Sequence, residues 1–172
     1  MKDFQFKIFL HAGALAIGGV ALSLFACRES EKDVVRAKSI SEVVSSNPEF
    51  SILNAVIQHS GMSDSLSMGT FTMFAPNNDA FERINIRNSS VIFALPKDSV
   101  EKFLKYHLLA KRLSYSQFSV GDLKNINNSK LLVTKRSDKD SLLINLNRVL
   151  TPDVNASNGI IQVIDSVLLK IK

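Results

Sequence analysis

The chain has 172 residues, 45% of them hydrophobic and 22% charged, with a net charge of +5. That length holds one folded domain plus an extension, and the composition excludes disorder throughout. One cysteine excludes an intrachain disulfide and a cysteine-rich zinc site, and one long apolar run excludes a polytopic membrane protein.

The apolar run comes first. Lys2 and Lys7 precede it, Ile8 to Ala26 carries no charge, and charge returns at Arg28-Glu29-Ser30-Glu31-Lys32-Asp33. A positive start, an apolar core and small residues at the break describe a secretory signal. Leu24-Phe25-Ala26-Cys27 resembles the lipobox of bacterial lipoproteins. The resemblance implies cleavage before Cys27, a lipid on its sulfur and acylation of the new amino terminus. The acidic residues that follow resemble the surface-export signals of some Bacteroidetes lipoproteins. Two alternatives stay open. One is an uncleaved transmembrane anchor, which Gly13, Gly18, Gly19 and His11 weaken, and the other is an ordinary buried cysteine. The expected division is a signal over 1–26, a lipidated cysteine and charged tether over 27–38, and a folded domain over 39–172. The expected location is the cell envelope, on the outer membrane.

Ser39 caps a short helix through Val44. Asn47-Pro48 starts a second, with Phe50, Leu53 and Ile57 on one face, and Gly61 ends it. Gly69 to Ala75 alternates and is rich in β-formers, so it reads as a strand that Pro76 stops. Asn77 or Asn78 caps a short helix through Phe81 and Ile84, and 85–97 reads as a loop with an apolar insertion at Val91 to Leu95. Pro96 opens the clearest helix, whose stripe is Val100, Phe103, Leu104, His107 and Leu108. Strands follow: Leu113 to Tyr115 with Phe118, then Lys130 to Thr134, Ser141 to Leu146, and Ile160 to Ile164. The last is apolar on both faces and so is expected to be central. Helices first and strands last indicate an α+β fold.

Three blocks carry a family resemblance. Phe71 to Phe81, containing Thr72, Phe74, Ala75, Pro76, Asn78 and Phe81, is similar to the Thr-x-Phe-Ala-Pro block of fasciclin-type domains. Tyr106-His107 resembles the family's central Tyr-His pair, and Asn158-Gly159 to Asp165 resembles its closing block. The resemblance covers about residues 39–172. It implies a small β-sandwich or wedge with helices packed at one side. It also implies adhesion, matrix or cell-surface contact, without enzymatic activity. Gln162 stands where the closing block usually has histidine, and glutamine cannot charge near neutral pH.

Most of the motif residues read as structural. His107 sits on the apolar stripe with no nucleophile or carboxylate at motif spacing, so no catalytic residue is assigned. No metal or cofactor site is expected either. His59 near a helix end reads as solvent-facing. Thr151-Pro152-Asp153-Val154-Asn155 occupies the place where animal fasciclin-type proteins carry an integrin-recognition segment, Glu-Pro-Asp-Ile-Met. Pro152, Asp153 and Val154 are therefore candidate partner-binding residues, beside the plainer reading of a turn into the last strand. Lys102, Lys105, Lys111 and Arg112 are candidates for one basic patch, but no nucleic-acid motif accompanies them.

The expected function is a lipid-anchored envelope module that binds a protein, a glycan or itself, with the membrane reached through the lipid and nucleic acid not a partner. The alternative is an accessory lipoprotein of an outer-membrane polysaccharide uptake system, with Phe93, Tyr115 and Phe118 as sugar-stacking candidates. Three Asn-x-Ser matches, at Asn88, Asn127 and Asn155, and four Asp-Ser-apolar matches, at Ser65, Ser99, Ser141 and Ser166, are short enough to arise by chance.

Overall fold

A computed structural model describes residues 36–136 and 141–169. Cys27, the apolar run before it and most of the expected tether lie outside the described residues. The last tether residues are described. Arg36 pairs with Glu42, and the Lys38 carbonyl accepts from the Ser157 N–H at 2.8 Å. Val35 to Lys172 is one compact unit that holds both hydrophobic cores, which is what a part able to fold alone requires.

Local signals set the first elements. Ser39 and Glu42 form a capping box for α1 (Ile40–Ser45). Asn47 caps a 3₁₀ turn at Pro48–Phe50 that runs into α2 (Ser51–Ser60), and Gly61, at φ 74°, closes it in the left-handed region. α3 (Ser63–Met68) is a helix the sequence reading did not anticipate. β1 (Phe71–Pro76) follows, then α4 (Asn78–Glu82), capped by Asn77. Asn78 serves a different helix. Its Oδ1 accepts from the Ile52 N–H at the start of α2, and its Nδ2 donates to the Pro48 carbonyl.

Part of the expected 85–97 loop is helical, as α5 (Ser90–Phe93). α6 (Lys97–Tyr106) stops one residue before His107, so the expected stripe is split between a helix and a strand. The sheet ends the helix. The His107 carbonyl accepts from Phe74, and Leu108–Leu109 becomes β2 against β1. Leu113 to Phe118 is not a strand. It holds a 3₁₀ turn at Tyr115–Gln117 with its own capping box. The remaining strands are β3 (Gly121–Lys124), β4 (Lys130–Lys135), β5 (Leu142–Ile144), β6 (Asn147–Ala156) and β7 (Gly159–Ile164).

The strands make one sheet in the order β2-β1-β7-β6-β5-β4-β3. β1 and β7 pair in parallel and every other pair is antiparallel. β7 is buried throughout, as its apolar run predicts for a central strand. β6 changes partner along its length. Its first residues pair with β5 and the rest with β7, through two register shifts. That bend folds the sheet into a wedge.

Strand alternation produces two cores. Met73 and Ala75 of β1, with Ile161 and Val163 of β7, face the helices and pack with Ile40, Leu53, Ile57 and Leu104. Phe74 and Ile164 face into the wedge and pack with Leu109, Phe118, Leu131, Val133 and Ile144. The observed architecture is thus the α+β wedge that the resemblance implies, with helices on one side.

The two halves meet at the β6–β7 hairpin. Gly159 lies opposite Phe71, and a Cβ there would stand 2.1 Å from the Phe71 carbonyl oxygen and 2.7 Å from Ile40 Cδ1. Backbone cannot yield as a flexible side chain can. Gly159→Ala is therefore expected to cost about 2–3 kcal/mol, the upper range for overpacking a rigid site, measured as a lowered urea midpoint.

Candidate functional site

The candidate partner segment is strand rather than turn. Thr151 pairs with Val163 and Val154 with Ile161, and the register shifts on either side of Thr151 take up the extra residues. Pro152 has no N–H to contribute and sits in the bulge where none is needed. Asp153 follows with φ 56°, in the left-handed region.

The three candidate residues face different ways. Pro152 is exposed together with Thr151, and Leu150 beside them is 45% exposed. Val154 packs against the helix-side core. Asp153 turns inward. Its Oδ1 accepts from the Tyr115 N–H at 2.8 Å and from Gln162 Nε2 at 2.9 Å. Its own N–H donates to Gln162 Oε1 at 3.1 Å. Gln162 is fully buried and also donates to the Leu113 carbonyl. Gln162 thus clasps the bulge from beneath. The outward surface is a ridge of Leu150, Thr151 and Pro152, held rigid by polar bonds behind it.

A second set of bonds fixes the neighbouring loop. Thr72 Oγ1 donates to the Lys111 carbonyl at 2.7 Å and accepts from the Leu113 N–H at 2.8 Å. Arg112 spans the β6–β7 hairpin, donating to the carbonyls of Ala156 and Gly159 and to Asn155 Oδ1. Sequence reading missed this role of Arg112, because nothing local marks a contact with residues more than forty positions away. Two of the basic-patch candidates are engaged within the fold. Arg112 is spent on the hairpin, and Lys105 pairs with Glu101 at 2.5 Å.

The other motif residues are engaged within the fold. Phe74, Ala75 and Phe81 are fully buried. Asn158 Oδ1 accepts from the Ile40 N–H at the start of α1, while its Nδ2 donates to the carbonyls of Leu66 and Gly69 at the end of α3. Asp165 accepts from the Arg148 backbone and side chain at 2.9 and 3.1 Å. The Tyr106 hydroxyl donates to the Lys130 carbonyl and accepts from Asn145.

His107 is fully buried. Nδ1 lies 2.9 Å from the Phe103 carbonyl, which can only accept, so Nδ1 carries the proton. Nε2 then accepts from the Leu168 N–H at 3.0 Å. Both nitrogens are occupied. Burial pushes the ring from its ordinary 6.5 to about 4, against the opposing pull of the Phe103 carbonyl. His59 is half-buried rather than solvent-facing, with Nε2 2.8 Å from the Leu95 carbonyl and an edge contact to Phe93.

Of the three aromatics considered for sugar stacking, Phe118 lies in the wedge core against Phe74. The Tyr115 hydroxyl accepts from Leu142, and only Phe93, 50% exposed, presents its ring. Among the described residues no group of three or more His, Cys, Asp or Glu is placed to hold a metal, and no helix is long and apolar enough to cross a membrane.

In this wedge, with its clasped β6 and its hairpin asparagine joining two helices, the polar motif residues hold the backbone. The chain belongs to the fasciclin family, whose domain model matches residues 48–170. It is 31% identical to protein sll1483 of Synechocystis over 163 residues, covering 90% of this chain and 89% of that protein. It is 32% identical to the transforming growth factor-beta-induced protein ig-h3 of Sus scrofa over 133 residues, 76% of this chain but 19% of that protein. Immunogenic protein MPB70 of Mycobacterium bovis is 28% identical over 137 residues, with 76% of this chain and 68% of that one covered. Among solved structures, the FAS1 domain pair of the insect cell adhesion molecule fasciclin I superposes with a TM-score of 0.62 at 21% identity, covering 77% of this chain and 51% of that one.

Two outcomes follow from the buried polar groups. Asp153→Ala leaves the Tyr115 N–H and the Gln162 amide short of an acceptor, so it is expected to lower stability by about 1–3 kcal/mol. An unchanged urea midpoint would mean that the carboxylate serves only a partner. For His107, both states are neutral above pH 6.5. As pH falls from 6.5 towards 4 the unfolded chain takes a proton that the folded chain refuses, so stability is lost over that window. The loss is expected to reach about 3 kcal/mol. Urea titrations at stepped pH should show this slope in the native chain and a flatter one in His107→Gln.

Proposed function

We propose that the domain is an interaction module of the adhesion type, held at the cell envelope by a lipid on Cys27. Its partner is a protein, a glycan or a second copy. The observation that carries the reading is the ridge of Leu150, Thr151 and Pro152. It exposes two apolar side chains, Leu150 and Pro152, beside Thr151, and it is fixed from behind by the Asp153–Gln162 clasp. A rigid support lowers the ordering cost of binding, and binding residues concentrate where a scaffold holds a loop or bulge in place. Kinship with the family, one member of which is named as a cell adhesion molecule, supports the same class. The reading assigns no catalytic role: His107 is closed off in the core, with both nitrogens bonded.

The test has two arms. Cells carrying the native chain and Cys27→Ser are labelled with a lipid precursor and then shaved with protease. Label on the native chain alone, with loss of the domain on shaving, is the expected result. A labelled but protected domain would place the partner in the periplasm, and label on neither chain would remove the anchor. In the second arm, a photo-crosslinker at Pro152 is compared with one at Ser63 in α3. Envelope crosslinks from Pro152 alone support the ridge, and equal yields from both sites overturn it.

A further inference from the structure

Beneath α5, away from the β6 ridge, lies an apolar cavity of about 180 Å³. Val56, Phe81, Ile92 and Val100 form its buried floor and walls, contributed by α2, α4, α5 and α6. Leu95, Ser99, Ile86 and Phe103 also line it and are exposed or half-buried, so they mark the mouth.

Two features decide what could fill this space. A water in a cavity needs two to four polar partners, and the only side-chain polar atom in the lining is the hydroxyl of exposed Ser99. An aliphatic and aromatic lining of this kind holds water poorly, and an apolar space of roughly 150 Å³ suffices for benzene. The volume is too small for a helix or a strand of a partner chain. The segment closing the cavity is short, and the bond from His59 to the Leu95 carbonyl holds its end to α2. α5 is a single turn of four residues without a side-chain cap, and it leaves Val91 and Phe93 exposed, with Ile84 exposed just before it.

We infer that the cavity under α5 is a binding site for a small uncharged apolar group, a single ring or a short hydrocarbon chain. Ile92 and Leu95 form one side, and α2 and α6 form the other. The site does not depend on the β6 ridge or on the lipid at Cys27, so the two readings stand or fall separately.

The test is methyl NMR on the unit from Val35 to Lys172, titrated separately with toluene and with 1-hexanol. Saturable shifts confined to the methyls of Val56, Ile92, Leu95 and Val100 are expected. Ser99→Phe, which places a ring at the mouth from an exposed position, should weaken them by about tenfold or more. Leu95→Trp repeats that block from the opposite rim, should Ser99→Phe disturb the fold. Saturation by toluene alone assigns a ring and saturation by 1-hexanol alone assigns a chain. Shifts that spread over methyls throughout the unit or fail to saturate with both probes would overturn the site. So would shifts that persist unweakened in a folded blocking variant.

Discussion

β1 and β7 lie side by side and parallel in the middle of the sheet, and a parallel pair of this kind must be covered on both faces. That requirement organises the molecule. One face takes the helices, through Met73, Ala75, Ile161 and Val163. The other is covered by the sheet itself, which bends at β6 so that β4 and β5 return over Phe74 and Ile164. The bulges in β6 are what allow the bend. The ridge proposed for contact is the outside of those same bulges. The constraint that completes the core thus also creates the ridge.

Polar side chains hold this arrangement together at its corners. Asn78 and Asn158 each supply a helix start with an acceptor from far along the chain, and Asp165 fixes the first residues of β6. Gln162 and Asp153 satisfy each other across the bulge, and His107 joins the end of α6 to the segment after β7. A buried amide or carboxylate is tolerated only where it is fully bonded, so each of these residues is tied to one geometry. A recurring polar motif in this fold is therefore not by itself a sign of chemistry. What it reports is where backbone from distant parts of the chain must meet.

Elements governed by neighbouring residues were legible in the sequence. The serine cap at Ser39, the Asn47-Pro48 start and the Gly61 stop all depend on residues a few positions apart. β7 was legible because burial on both faces leaves an unbroken apolar run. α3 was not, since Leu66 is its only buried residue and no periodicity shows. β6 was hidden by Pro152, which ordinarily argues against a strand and is accommodated here by the bulge. The end of α6 was set by the sheet, which takes the His107 carbonyl and Leu108. The same limit applied at the candidate site. Pro152, Asp153 and Val154 could be located by resemblance, but which of them faces outward depends on Gln162 and Tyr115, and no local pattern links these to them. Phe118 was misplaced for a similar reason: it sits among polar residues in the chain, and only the folded wedge brings it to Phe74.

The parallel pair also sets an order of events in time. Phe71 must find Gly159, and Pro76 must find Ile164, before either core has its floor. Contacts this distant in the chain close slowly, because loop entropy is lost before the strands reward it. A chain emerging from the ribosome therefore has helices to form early but no sheet to pack them on until β7 is out. For that interval the apolar faces that will form the two cores stay uncovered, and a chain in that condition is a substrate for holding chaperones.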